Sequence, residues 1–263
     1  REIRYMLRSR IIPCLLVHKK GLVKTVKFKD SKYVGDPINA VKIFNEKEVD
    51  ELIVLDIDAT RDKRGPDFTL IRNLAAECRM PFCYGGGVTT VAQARKIISL
   101  GAEKVALSSA VINDVSLCRA IGKAVGVQSV VVVLDVKKRK LLGGYDIFTN
   151  NGQVKSKRRF KEFVIELNQI GVGEIVVNSI DNDGVMAGYD MELASLVRDL
   201  CDIPITILGG AGTLDHIKKL ISKFKVIGAA AGSLFVFKGK YKAVLINYPN
   251  REEKFPLYSD IRK

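Results

Sequence analysis

Tryptophan is absent from the 263 residues, and histidine occurs only twice, at His18 and His216. Two isolated histidines with no clustered ligands leave nothing to hold a structural metal, so neither a metal nor a cofactor is expected. The five cysteines (Cys14, Cys78, Cys83, Cys118, Cys201) include no Cys-x-x-Cys pair. An odd, scattered set reads as buried free thiols in a reducing compartment, which points to the cytoplasm. No apolar run reaches the roughly 18 residues needed to span a membrane. The opening Arg1-Glu2-Ile3-Arg4 has no secretory-leader pattern. No linker interrupts the chain, so residues 1–263 are read as one domain, with 47% apolar residues to fill its core.

Charge is far from balanced: 43 Lys and Arg against 29 Asp and Glu give a formal +14. The basic residues are spread along the chain, with local runs at 137–140 and 155–159 and no aromatic residues interleaved. That pattern argues against nucleic acid and for a solvated surface that attracts anionic or phosphorylated small molecules.

Short β-rich apolar runs recur at 11–17, 52–57, 82–84, 105–107, 130–136, 175–180, 205–208 and 226–230. Apolar runs without strict alternation suit parallel strands covered on both faces. Helical patterns lie between them, one opened by Asp36-Pro37, others beginning near Thr90, Asn113 and Tyr189, with Gly101 and Gly171 closing two. Eight such units predict a (β/α)₈ barrel. An open doubly wound sheet is disfavoured by the lack of a Gly-x-Gly-x-x-Gly turn after the first strand.

Two glycine clusters, Tyr84-Gly85-Gly86-Gly87 and Leu208-Gly209-Gly210-Ala211-Gly212, each follow a short run opened by proline and precede a threonine and a helical pattern. They stand about 120 positions apart. Glu51-Leu52-Ile53-Val54 overlays Glu174-Ile175-Val176-Val177 at a similar offset, Ser108-Ser109-Ala110 overlays Gly232-Ser233-Leu234, and Cys14-Leu15-Leu16-Val17 overlays Val133-Leu134-Asp135-Val136. A half-barrel duplication accounts for all of them. Glycines at strand ends let main-chain N–H groups approach an anion, and serine hydroxyls add donors. Phosphate sites are therefore expected at Gly87, Ser108 and Ser109 in one half, and at Gly184, Gly210, Gly232 and Ser233 in the other.

Carboxylates at strand C-termini line the working face of such a barrel. The candidates are Asp56, Asp58, Asp135, Asp181 and Asp183, of which Asp135 and Asp183 are taken as catalytic; the others have helix capping or lysine pairing as rival roles. At the opposite face Arg10, Glu51, Lys104 and Glu174 sit at strand starts and can form a closed ion ring, which on the residues alone reads as stabilising. After Phe237 the pattern breaks down, and Pro249 and Pro256 cut what remains. This tail, from about 238, is either a partner-binding arm or a segment covering the barrel rim in place of a final helix.

Arg10-Ile11-Ile12-Pro13-Cys14-Leu15, Gly35-Asp36-Pro37, Gly85-Gly86-Gly87, Gly101-Ala102-Glu103-Lys104-Val105, Ser179-Ile180-Asp181-Asn182-Asp183-Gly184 and Gly209-Gly210-Ala211-Gly212 together resemble the cyclase subunit of imidazole glycerol phosphate synthase. The resemblance runs from about residue 8 to 237. It implies a class I glutaminase docked on the N-terminal face, with ammonia passing the ring of Arg10, Glu51, Lys104 and Glu174 on its way through the barrel. The family's reaction on a bisphosphorylated ribulosyl substrate uses one aspartate on the first strand and one on the fifth. Asp135 matches the second; Leu16 stands at the first. Val185 replaces a threonine, Leu208 a phosphate-site serine and Ser108 an asparagine. Those departures and the tail Val236-Phe237-Lys238-Gly239-Lys240-Tyr241 resemble a paralogous branch tied to acetamidino modification of surface-polysaccharide sugars, in which a barrel conducts ammonia from the glutaminase to a separate sugar amidotransferase. The resemblance thus implies an ammonia-channelling subunit, with a histidine-biosynthesis cyclase and a non-catalytic assembly scaffold as alternatives.

Overall fold

The computed structural model describes residues 8–141 and 143–258; the opening stretch Arg1-Glu2-Ile3-Arg4 lies outside them. β1 (Arg10–His18) leads into a hairpin of β2 (Gly21–Val26) and β3 (Lys29–Gly35), then α1 (Pro37–Glu46). The alternation continues with β4 (Leu52–Asp56), α2 (Phe68–Glu77), β5 (Phe82–Gly85), α3 (Val91–Ser99), β6 (Lys104–Leu107), a short α4 (Ser109–Asn113) and α5 (Ser116–Val125). The second half repeats this plan. β7 (Val130–Lys138) is followed by a hairpin of β8 (Tyr145–Thr149) and β9 (Val154–Arg159), then α6 (Phe160–Ile170), β10 (Glu174–Ser179), α7 (Met191–Leu200), β11 (Ile205–Leu208), α8 (Leu214–Phe224), β12 (Gly228–Ala231) and a short α9 (Ser233–Val236).

Strands β1, β4, β5, β6, β7, β10, β11 and β12 pair in parallel in that order, and β12 pairs back to β1, closing an eight-stranded (β/α)₈ barrel. Alternation along each strand separates two apolar sets. Ile12, Cys14, Ile53, Cys83, Ala106, Val131, Val133, Val176, Leu208 and Ala230 fill the lumen. Their neighbours, such as Ile11, Leu15, Leu52, Val54, Val132 and Leu134, join the larger cluster under the helices. Burial on both faces is why these strands read as unbroken Val/Ile/Leu runs.

Helix starts follow local chemistry. Asp36 caps α1 by accepting from Asn39 N, with Pro37 in the first turn. Thr90 and Gln93 form a reciprocal capping box at α3. The expected start near Asn113 is corrected: Asn113 ends α4, and α5 begins at Ser116, whose N–H and hydroxyl both donate to Asp114 Oδ1 (3.0 and 2.7 Å). The last strand also starts later than expected. Val226 is exposed, and pairing begins at Gly228.

After α9 the chain makes a small hairpin, β13 (Phe237–Lys238) with β14 (Ala243–Val244), and then a short helical turn, α10 (Arg251–Lys254), followed by a 3₁₀ turn at Phe255–Leu257. No long helix follows β12 among the described residues, as expected, but the cover does not stay at the rim. Tyr248 is buried against Phe235, its hydroxyl donating to Ile11 O (2.9 Å) and accepting from Asp50 N (3.2 Å). Lys254 then pairs with Asp50 (3.1 Å). Tyr248 and Lys254 thus pin the described part of the tail against the loop that enters β4, at the N-terminal end of the barrel.

Candidate functional site

The first inward-facing residue of four strands is charged, and the structure brings all four together at the barrel floor. Arg10 contacts Glu51 through Nη1 and Glu174 through Nη2 (2.8 Å). Lys104 Nζ lies 2.7 Å from Glu51 Oε1 and 2.9 Å from Glu174 Oε2. Each acid touches both cations, so the ring is closed. Thr206 Oγ1 adds a hydrogen bond to Glu174, and Gly228 leaves it room, since a Cβ there would lie 1.7 Å from that hydroxyl oxygen. Burial alone would raise the Glu174 carboxyl; Arg10, Lys104 and Thr206 outweigh it and hold it well below the usual carboxylate range.

Above the floor the lumen is apolar as far as the C-terminal mouth, where two cavities open side by side. One, of about 100 Å³, contains Leu16, Lys24, Asp183, Gly184, Gly210, Gly232 and Ser233 among its walls. The other, of about 540 Å³, takes in Gly86, Gly87, Ser108, Ser109 and the Arg64 loop. Asp135 and Asn151 line both. Asp56, Asp135, Asp183 and all seven expected phosphate-site residues therefore fall in these cavities, Asp58 and Asp181 do not, and the two glycine clusters lie on different sides of Asp135.

Backbone geometry explains the glycines. Gly87 and Gly210 have φ of +69° and +104°, and a Cβ on either would collide with a main-chain oxygen, of Arg64 (2.4 Å) or Gly188 (2.0 Å). Ser108 and Gly232 are equivalent N-caps of α4 and α9, with similar backbone angles (φ −139°, ψ −97° and φ −104°, ψ −72°).

Asp135 faces Asn178 across the β7–β10 pair, accepting from its Nδ2 at 2.9 Å. Burial pushes the Asp135 carboxyl up to about 7, the Asn178 bond opposes that shift, and nearby Asp183 adds to it. Asp183 itself is tied to the β2–β3 hairpin. It accepts from Thr25 Oγ1 (2.7 Å) and Phe28 N (3.1 Å), while its carbonyl accepts from Lys27 N (2.9 Å). Its most direct task is to hold that hairpin over the mouth.

The remaining aspartates take the capping and pairing roles. Asp56 pairs with Arg64 (2.8 Å) and accepts from Asp58 N and Ala59 N. Asp58 accepts from Lys19 N (2.8 Å) and bonds His18 Nδ1 (2.7 Å), and it lines neither mouth cavity. Asp181 is exposed and accepts from Lys138 N (2.8 Å).

Residues 10–242 match the model of a family described as "Histidine biosynthesis protein". The chain belongs to that family. It is 59% identical over 249 residues to a Vibrio vulnificus protein with the provisional name imidazole glycerol phosphate synthase subunit hisF3, covering 95% of this chain and 96% of that one. A Leptospira interrogans protein with the provisional name imidazole glycerol phosphate synthase subunit HisF is 51% identical over 253 residues, 96% of this chain and all of the other. The imidazole glycerol phosphate synthase subunit HisF of Clostridium botulinum strain Langeland is 35% identical over 247 residues, 94% and 98% of the two chains.

Two polar residues of this HisF-like barrel escaped the sequence reading. Lys24 is buried; its ammonium donates to Cys14 O and sits where a Cβ on Gly232 would be 2.2 Å away. Burial lowers its pKa, offset in part by Cys14 and Asp183. The available signal was a lysine in phase with the buried Leu22 in Gly21-Leu22-Val23-Lys24-Thr25. Asn178 shares the inward phase of Glu174 and Val176, two positions apart along β10, and that period marks it as a mouth residue.

Proposed function

We propose that this HisF-like barrel conducts ammonia from a class I glutaminase on its N-terminal face to its C-terminal mouth. There a separate amidotransferase uses it to install an acetamidino group on a surface-polysaccharide sugar, all within the cytoplasm. The observation that carries this reading is an asymmetry. The charged ring at the floor is complete, whereas the mouth holds Asp135 opposite Leu16. Leucine can neither give nor take a proton, so an acid–base pair of carboxylates lacks one member.

The physical chemistry of the lumen supports the same reading. Ammonium entering the apolar stretch between Ile12, Cys83, Val131 and Val176 would lose its hydration without replacement, at a cost of several kcal/mol, while neutral ammonia loses far less. The ring filters at the entrance. Arg10 is fixed by a fork of hydrogen bonds to Glu174 and by Glu51, but Lys104 presents a single ammonium on a flexible stem. Swinging Lys104 aside opens the ring while Arg10 keeps both acids in place.

A second reading, the cyclase reaction of histidine biosynthesis, is favoured by one feature. The cradles of Gly87, Ser108 and Ser109 and of Gly184, Gly210, Gly232 and Ser233 flank Asp135, as a ligand with an anionic group at each end would require. Purified barrel supplied with an ammonium salt and the bisphosphorylated ribulosyl substrate separates the two. No ring product is expected from the native chain. Appreciable product would sink the conduit reading.

A further inference from the structure

Asn178 Oδ1 is the one buried side-chain polar atom without a hydrogen-bond partner among the described residues. Its residue is 6% exposed and lines the smaller mouth cavity, directly above the apolar lumen. A buried carbonyl left unpaired costs about 1–3 kcal/mol, so an unpartnered acceptor in a cavity wall points to something that donates to it.

The pairing with Asp135 makes the orphan unavoidable. When Asp135 is ionised it can only accept, so the Asn178 amide must present its NH₂ and turn its oxygen away. When Asp135 is protonated the amide can turn over, and then its NH₂ faces the cavity side without a carboxylate. With its NH₂ on Asp135, the amide has no protein partner for its oxygen.

The surroundings limit what can fill the gap. The cavity of about 100 Å³ readily admits a molecule the size of water. Its walls include the apolar Leu16, Leu208 and Ala231, and the missing side chain of Gly209 leaves space beside Oδ1, since a Cβ there would lie 3.1 Å from it. Two acceptors stand on neighbouring strands, Asn178 Oδ1 and the Asp135 carboxylate that takes the other end of the amide. Asp183 and Cys14 interact with Asp135 from neighbouring elements, and Lys24 interacts with both of them.

We propose that Asn178 Oδ1 and Asp135 together form a holding site for ammonia, as NH₃ or ammonium, where the lumen opens into the mouth. Ammonia is small enough and carries at least three N–H donors, one for each acceptor. Its binding fixes the amide in the orientation that serves ionised Asp135. The leucine at position 16 then has a positive role, walling the site on the side where a second acid would otherwise attract water. This inference rests on the conduit reading, because it supplies the lumen's exit with its cargo.

Its test is a binding measurement that needs no partner protein. The full chain, labelled with ¹³C at aspartate carboxyls and with Asp135 assigned through Asp135→Asn, is titrated in sodium, potassium and ammonium chloride at equal ionic strength. The apparent pKa of Asp135 should be lower in ammonium chloride by about half a unit or more, since donors to the ionised form favour it. Potassium is close to ammonium in size but has no N–H groups, and should behave like sodium. The ammonium-specific difference should vanish in Asn178→Leu. Identical curves for the native chain in all three salts, or an equal shift in potassium, would overturn the proposal without need of any variant. Retention of the shift in Asn178→Leu would do so too. Loss of coupling between glutaminase and amidation bears on the conduit instead, so either idea can fail alone.

Discussion

Replacing Asp135 with asparagine should stabilise the protein at pH 8 and leave it nearly unchanged at pH 4. The folded pKa of Asp135 is raised from an ordinary 3.8 to about 7, so between those values the folded state binds one more proton than the unfolded chain. Stability contributed by this group is therefore full below about pH 4 and is lost as the pH rises through 7. Each pH unit in that window removes about 1.4 kcal/mol. Over the whole interval this comes to about 4–5 kcal/mol, and solvent reaching the mouth cavities reduces it to roughly 2–3 kcal/mol. Asparagine has the same shape, still accepts from Asn178 and does not titrate. Urea denaturation of both proteins at pH 4, 6 and 8 reads the gap directly, provided the slopes match. The expected gap grows with pH in favour of the variant. A gap that is constant, or that grows towards acid, would show that Asp135 is not held neutral by burial and would remove it as a proton carrier near pH 7.

Two further substitutions probe the floor and the tail. Glu174→Gln keeps shape and hydrogen bonding but leaves Arg10 and Lys104 sharing Glu51, and should cost about 1–3 kcal/mol at pH 7. Because the folded pKa of Glu174 is depressed, its contribution is present above the ordinary glutamate range and disappears as the pH falls. The difference between native and variant melts should therefore narrow below about pH 4. Tyr248→Phe deletes the bonds to Ile11 O and from Asp50 N and should lower stability by about 1–3 kcal/mol with an unchanged denaturant slope. An undisturbed melt would mean the tail is not anchored at the barrel floor.

Much of the architecture was open to reading because its causes are local. Eight runs of β-branched and apolar residues, glycines at strand ends and the capping signals at Asp36 and Thr90 each follow from short-range chemistry. The overlay of Leu16 on Asp135 needed only the repeat. The floor ring was legible because a charge at a strand start, with an apolar inward face above it, has few places to go. The two hairpins were hidden. β3 is Lys-Asp-Ser-Lys-Tyr-Val-Gly and β9 is Val-Lys-Ser-Lys-Arg-Arg, largely exposed, so neither has the apolar alternation that marks a strand. Lys24 was hidden because burial of a lysine depends on the hairpin folding inward over the mouth. The task of Asp183 depends on the same hairpin, and the partner of Asn178 depends on the β7–β10 register, neither of which is a local property. The family match, residues 10–242, agrees with the resemblance and leaves the acetamidino branch to experiment.

The central claim is that ammonia made by a partner crosses this barrel from floor to mouth. It is tested most directly in the full complex of glutaminase, barrel and acceptor amidotransferase, by counting glutamines hydrolysed per sugar amidated. With the native barrel the two should match one for one, even when free ammonia is scavenged from solution. With Lys104→Met, which opens the floor ring, hydrolysis should outrun amidation and the excess should appear as ammonia in the medium. A ratio unchanged by Lys104→Met, or native amidation abolished by the scavenger, would contradict passage through the barrel and leave it as a scaffold.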